Sequence, residues 1–589
     1  MMERRSLRSA AALPVRKGLD DGQIVALIEQ YESQSLNEDI LRDQARAMDY
    51  YNLKPFGYEE TGRSGVVSSD VFNVVEGMTP IILKPFVSSD DIVKFTPEGP
   101  EDEPGAEQES EYVNYLVTQK NDVFETLVAW VKTGLLQKNG VVKYWWEKSR
   151  RTRIERYTGL DADVFAALSQ ENGVEIAEHT ETPEGHDVVL RVVDEVGEPK
   201  FCVIPPEEFR IARNATNVNP KLAEFVQHRT YKTISALREM GYDIDDHIND
   251  ESSESPRDSD TYLARREFDY TNSDRETVDP SMREVLYRET YLLADVDGDG
   301  IAELRRVCLV GTTILHNEEA EEIPFAAWTP MPQAFSFYGK CPADEVCEIQ
   351  EVKSSLIRQT MDNIYTINNN RTYVGPNVNV DDLIDNQIGG IVRITAGTVA
   401  ENIQEARITP INGVTMPMIE YFDSALENRS GWTRYNQGAD ADSLNKTATG
   451  IRLITEAGNE RVGLISRSFA ETGLKQLMLG VHGLCRRHSD KATVYRLRGK
   501  WVPIDPRTWR TRFDMSVSVG LGNSDKQMQM QGAQMLLNEQ KQLMQVPLRI
   551  STKALQSWLQ PLAKRAQNGF SLHRMKTRNR RLIRCKTLT

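Results

Sequence analysis

Four carboxylates fall within the nine residues Asp295-Val296-Asp297-Gly298-Asp299-Gly300-Ile301-Ala302-Glu303. Alternating aspartates followed by glycine resemble the opening of a calcium loop, in which oxygens from the first, third and fifth positions surround the ion and the glycine permits the sharp turn. The twelfth position, where such a loop needs a bidentate glutamate, is Arg306, and no helical pattern flanks the run. The competing reading is a polar hairpin turn between a strand ending at Ala294 and one starting at Ile301, for which Asp and Gly are the expected residues. Asp295, Asp297, Asp299 and Glu303 are therefore the candidate metal ligands. Weak binding of calcium or another divalent cation is the only cofactor chemistry they suggest, and otherwise no cofactor is expected.

Other catalytic signatures are missing from the sequence. It has no Gly-x-x-x-x-Gly-Lys-Ser/Thr loop to cradle a nucleotide, which disfavours an ATP-driven motor, and neither Gly-x-Ser-x-Gly nor His-Glu-x-x-His occurs. The eight histidines are mostly dispersed. Cys485, between His482 and His488, offers one thiol and two imidazoles at three-residue steps that turn off a single helix face, a poor zinc set. The six cysteines form no Cys-x-x-Cys pair and read as reduced, structural thiols. Lys446 lies in Asn445-Lys446-Thr447-Ala448-Thr449-Gly450, just before a long helical stretch. It is either a solvated loop residue beside an N-cap, or one cation per subunit offered to a central DNA strand, a role that only a ring could exploit.

The elements that must position these residues read as follows. Residues 1–19 are basic and Ser/Ala-rich, a flexible arm with no apolar run fit for secretion. Helical spacing of apolar residues runs from Asp20 to about Tyr51 and from Glu109 to about Leu136. Val141 to Trp146 opens a strand-rich section that closes at Pro205-Pro206. Residues 245–260 are acidic and Ser-rich, a loop too polar to offset its ordering entropy. Strands and turns return from Glu284 to Phe325. After Pro342, Val346, Ile349, Val352, Leu356, Ile357, Met361, Ile364 and Tyr365 recur at three- and four-residue steps, giving a helix of about 28 residues and about 40 Å. A second long helix spans 447–488, where glycines including Gly473 and Gly480 call for a kink or close packing.

With 589 residues the chain has room for three or four folding units at roughly 150 residues each. No apolar stretch approaches the roughly 20 residues of a membrane span. A formal net charge of −16 argues against a surface that grips nucleic acid all over, but suits a channel through which DNA slides without sticking. After Glu539 there is no acidic residue while Lys and Arg crowd the end. That segment reads either as a basic, nucleic-acid-binding tail or as an altered terminus.

Taken together, several segments resemble the portal proteins of short-tailed bacteriophages. They are Glu60-Thr61-Gly62-Arg63-Ser64-Gly65-Val66-Val67-Ser68, Leu135 to Gly140 leading into Trp145-Trp146-Glu147, and Val203-Ile204-Pro205-Pro206-Glu207-Glu208-Phe209. Asp295 to Glu303, Gln350 to Arg358 with Asp362-Asn363, and Gln437-Gly438 through Lys446 to Ile451 continue the series in the expected order. The resemblance implies an α+β, multi-domain, non-enzymatic subunit of a homo-oligomeric ring, twelve-membered, at one capsid vertex of the virion, assembled in the host cytoplasm. Such a ring conducts double-stranded DNA during packaging and ejection. It meets the terminase packaging motor, the capsid and scaffolding protein, and tail or head-completion proteins. The layout it implies is a wing over 20–270, a clip-like strand region over 271–340, a stem helix over 341–372, a wing and tunnel-loop region over 373–520, the start of a crown helix over 521–545, and an atypical basic tail over 546–589. Asn445, Lys446 and Thr447 become the DNA-facing tunnel loop. The alternatives from other classes are a metal-dependent enzyme acting on nucleic acid through the 295–303 carboxylates, and a calcium-stabilised scaffold.

Overall fold

A computed structural model describes residues 18–517 apart from 36–37, 88–91, 98, 170–173, 183–184, 249–254, 267–278, 386–387, 434–459, 490–492, 498–499 and 510–514. The expected tunnel loop (445–447), the start of the crown (521–545) and the basic tail (546–589) lie outside the described residues, as does all but the end of the N-terminal arm.

The fold is mixed α+β. The helical region expected from 20 to 51 is two helices serving two cores. Helix α1 (Asp21–Ser35) lays Ile24 and Ile28 against a β-sheet, with Tyr31 stacked on Phe225 at 5.1 Å, whereas α2 (Glu38–Tyr51) turns Ala47 and Tyr50 into a helical core. Helix α3 (Asp70–Val87) forms despite Pro80 and Pro85 within it. Each interior proline costs about 3 kcal/mol. The helix compensates by burying Val71, Val74, Val75, Met78, Ile82, Leu83 and Phe86, each contributing about 1.5–3 kcal/mol. Strand β1 (Val93–Phe95), α4 (Glu103–Gln119) and α5 (Val123–Gln137) follow.

Next come the long strand β2 (Gly140–Leu160), α6 (Ala162–Ser169), β3 (Val174–Thr182) and β4 (Gly185–Ile204). Strands β5 (Phe209–Ile211) and β6 (Phe225–Thr233) precede α7 (Ile234–Glu239) and α8 (Asp260–Arg265). Strands β7 (Glu284–Ala294), β8 (Glu303–Val310), β9 (Thr313–Glu319) and β10 (Phe325–Trp328) lead into α9 (Pro342–Asn368). Beyond it are β11 (Thr372–Val374), α10 (Val380–Ile384), α11 (Val399–Asn402), β12 (Ile403–Glu405) and α12 (Asn412–Ser430). A helix described from residue 460 passes through a π-helical turn at Phe469–Leu474 into α13 (Lys475–His488). Strands β13 (Thr493–Leu497) and β14 (Lys500–Ile504) form a hairpin, and β15 (Met515–Val517) pairs with β1.

Two sheets organise the strands, in the orders β5-β6-β7-β8-β9 and β10-β2-β4-β3. The first crosses the expected wing–clip boundary at residue 271, since β6 pairs antiparallel with β7 from Phe225↔Leu292 to Thr233↔Glu284. Strand β10 leaves for the second sheet and pairs with the base of β2. Between the helices, Trp130 and Trp328 each meet Phe469 edge-on at 5.0 Å. Gly473 makes this approach possible: a Cβ there would lie 2.9 Å from the Trp130 indole and 2.9 Å from the Trp328 Cβ. The expectation of close packing in this glycine-rich helix is met at Gly473, which lies within the π turn.

Candidate functional site

The 295–302 segment is the hairpin loop joining β7 to β8, and Arg306 lies within strand β8. Strands flank the loop on both sides, so it is no EF-hand. Asp295, Asp297 and Asp299 bring carboxylate oxygens within 4.8 Å of one another. Those oxygens also close the turn. Asp295 accepts from the Gly298 and Gly300 amides at 2.7 and 2.9 Å, Asp297 from the Asp299 amide at 3.0 Å, and Asp299 from the Ile301 amide at 2.7 Å. Gly298 and Gly300 supply the left-handed backbone such a turn needs, with φ of 81° and 84°. Glu303 faces back to the Val296 amide at 3.2 Å, apart from the three aspartates. The loop also holds the end of the N-terminal arm, whose Leu19 amide donates to the Asp295 carbonyl at 3.1 Å.

Two further sequence expectations resolve simply. His482 is buried and engaged by Glu109 at 3.0 Å, between the rings of Phe95 and Trp509, so it is a core histidine and no zinc ligand with Cys485. Cys202, Cys308, Cys341, Cys347 and Cys485 are free thiols.

The long helix after Pro342 is present as α9, 27 residues or about 40 Å long. It packs antiparallel on α12, as the pairings Glu348 with Arg429, Lys353 with Asp423 and Asn363 with the Ile411 amide require. Its apolar stripe is split between two roles. Val346 and Ile349 are buried in the core, but from Gln350 onward the inward face is polar, carrying Gln350, Lys353, Ser354 and Arg358, while Val352 and Tyr365 are exposed.

Those polar residues dock one sequence motif on another. The Val71 amide donates to Gln350 at 2.8 Å, the Ser68 amide to Ser354 at 2.9 Å, and the Ser64 amide to Asp362 at 2.8 Å. Arg358 donates to the Val66 carbonyl at 2.8 Å, pairs with Glu59 at 2.7 Å and lies over the Phe56 ring. Lys353 bridges Asp70 and Asp423 at 2.6 Å each. Burial opposes its charge, but hydrogen bonds to the two carboxylates outweigh that and raise its pKa. Residues 60–68 and 350–362, far apart in the sequence, thus form one joint that pins the base of the α9–α12 hairpin to α3.

At the far end of that hairpin, residues 369–411 form a small module closed by the β11–β12 pair. Asn402 and Val378 are buried at its centre, where Asn402 donates to the carbonyls of Ala396 and Thr398 at 2.8 and 3.1 Å, and on its surface Asp382 holds Arg393 at 2.7 Å. Other apolar residues of the module are exposed, Ile384 at 72% and Ile391 at 83%. Helix α12 adds Val414 at 68% and Tyr421 at 69%. A concentration of apolar surface of this kind marks a site of protein–protein contact. The sequence missed it because α12 carries Gly413 and Pro417, which mask the helical pattern. A family model described as Phage SU10 portal protein matches residues 24–568 of the chain.

Proposed function

The chain belongs to the phage SU10 portal protein family, and from that premise we propose how its parts serve a head-to-tail connector. A portal is a structural component of the virion, a homo-oligomeric ring at a capsid vertex that meets DNA and the packaging machinery. We propose that this ring has twelve members, that it passes double-stranded DNA inward during packaging and outward during ejection, and that it carries out no catalysis of its own.

The single observation supporting the layout is the apolar surface on the α9–α12 hairpin and its tip. A polar joint holds the hairpin base, while Val352 and Tyr365 on α9 and Val414 and Tyr421 on α12 lack cover among the described residues. Neighbouring copies would cover them, and one head-to-tail contact repeated with a closing rotation makes a ring. In this account α9 and α12 together form the stem. The 369–411 module at its tip, with Ile384 and Ile391, is the clip that meets the terminase motor and later the tail or head-completion proteins. That assignment is offered beside the clip-like strand region 271–340 expected from the sequence, whose β7–β9 share a sheet with β5 and β6. Asn445, Lys446 and Thr447 form the tunnel loop facing DNA, and scaffolding protein and capsid take up the ring during assembly in the host cytoplasm.

The enzyme and calcium-scaffold alternatives both draw on the 295–303 carboxylates, and the hydrogen bonds of the three aspartates favour a self-closing turn. Val414→Asp combined with Tyr421→Asp tests the stem. The proposal expects a folded protein, by circular dichroism, that no longer forms rings; rings identical to the parent would contradict it. Lys446→Glu should leave rings intact and lower the amount of DNA packaged, and unchanged packaging would remove the assigned role of that residue.

A further inference from the structure

The β2–β4–β3 arm ends in two open edges of opposite charge. Strand β2 pairs with β4 from Val141↔Ile204 out to Leu160↔His186, and β4 pairs on its other side with β3 from Val174↔Val192 to Thr182↔Gly185. Among the described residues, strand β10 covers the base of β2, where the Tyr144 amide bonds to the Pro324 carbonyl at 3.0 Å. Among the described residues, no strand pairs with β2 beyond that point on its free side, or with the outer edge of β3. From Glu147 to Leu160 the described side chains of β2 are exposed or half-buried. An edge of this length is a template for another strand unless something covers or repels it.

The charges on the edges are not alike. Residues 148–156 of β2 read KSRRTRIER, five basic residues against one acidic, and that one, Glu155, is held by Arg153 at 2.8 Å. Residues 174–182 of β3 read VEIAEHTET, with Glu175, Glu178 and Glu181 and no lysine or arginine. All three glutamates are exposed, and Glu175 has only a distant contact with Arg191 at 3.9 Å. Two β2 edges brought together would repel, as would two β3 edges. A β2 edge meeting a β3 edge is attracted. Charge thus disfavours the self-complementary pairings that would make dimers and favours the head-to-tail one that makes rings. Direction agrees. Both β2 and β3 run antiparallel to β4, so they run the same way along the arm. Copies related by rotation therefore present β2 of one beside β3 of the next as a parallel pair.

We propose that the arm is a subunit–subunit interface, in which the basic outer edge of β2 accepts the acidic outer edge of β3 from a second copy of this chain. The proposal rests on the ring reading and adds a contact to it, separate from the α9–α12 hairpin. The test uses the full chain. Thr158→Cys with Thr180→Cys, which lie level with each other on either side of Asp187 of β4, treated with a short flexible bismaleimide, should give a ladder of covalent multimers, while neither single variant gives products beyond those of the parent. Reversing the acidic edge (Glu175→Lys, Glu178→Lys, Glu181→Lys) should weaken each interface about tenfold and reduce ring yield. Adding Arg153→Glu and Arg156→Glu, the basic residues level with Val174 and Glu178, should restore it. Rings by electron microscopy with no ladder, and full assembly of the acidic-edge variant, would overturn the edge pairing while leaving the ring standing. A parent that forms no rings would remove both.

Discussion

Replacing Lys353 by methionine should cost about 3 kcal/mol of stability. The lysine ammonium lies 2.6 Å from both Asp70 and Asp423, with side chains 10%, 9% and 38% exposed respectively. Methionine keeps the helix propensity and most of the volume of α9. It leaves Asp70 buried with the Ser68 hydroxyl, at 2.7 Å, as its remaining side-chain donor. Removing one partner of a buried pair typically costs about 3–5 kcal/mol because the other charge is stranded. Asp423 can regain water, which places the expected value at the lower end. Because the stranded charge causes the loss, Asp70→Asn in the Lys353→Met background should recover part of it, with a coupling of about 1–3 kcal/mol in the double-mutant cycle. Urea unfolding followed by tryptophan fluorescence measures this well, since Trp432 packs directly on Gly77 of α3 beside the joint. A midpoint lowered at unchanged slope is expected. A loss under 1 kcal/mol, or a cycle with no coupling, would refute the claim that this joint anchors the hairpin.

Gly480→Ala should destabilise by about 1–3 kcal/mol through overpacking, because a Cβ there would stand 2.3 Å from the Tyr144 ring; thermal unfolding reads it directly. Acid should weaken the fold through Glu289. Burial raises the pKa of this carboxyl, but Lys143 at 2.5 Å and Arg306 at 3.0 Å outweigh that and hold it far below the usual carboxylate range. Its stabilisation is full above the unfolded value of about 4.3 and is lost as pH falls toward the native value, so the urea midpoint should drop below about pH 5. Glu289→Gln should flatten that slope while lowering stability at pH 7. Asp295→Ala removes the acceptor of two turn amides and should cost about 1–2 kcal/mol. The melting temperature should be equal in millimolar calcium and in chelator, and a rise of several degrees with calcium would make the loop an ion site.

How far the sequence alone reaches can be seen residue by residue. Helix α9 was legible from its three- and four-residue spacing and the Pro342 at its start, and the acidic run from its Asp-Gly turn chemistry. Hidden from the same pattern was which part of the α9 stripe is buried. Lys353, Ser354 and Arg358 occupy the inward face because Asp70, Ser68 and Val66 satisfy them from nearly three hundred residues away. Local periodicity carries no trace of such partners. Helices α3 and α12 were missed for the opposite reason: Pro80, Pro85 and Pro417 argue locally against helix, and tertiary burial overrides them only in α3, where seven apolar side chains are covered. In α12 most of the apolar surface stays exposed, in keeping with a helix whose cover comes from another copy. The segments 60–68 and 350–362 stood out separately in the sequence, and their contact explains the polar residues they carry: Ser64 and Ser68 on one meet Asp362 and Ser354 on the other, forming one joint.

The central claim is assembly, and negative-stain microscopy with mass measurement of the purified chain tests it most directly. The account predicts closed rings of about twelve copies with a central hole of roughly 20 Å or more, the width of a DNA duplex. A chain that stays monomeric or dimeric at high concentration, even with scaffolding protein supplied, would contradict it.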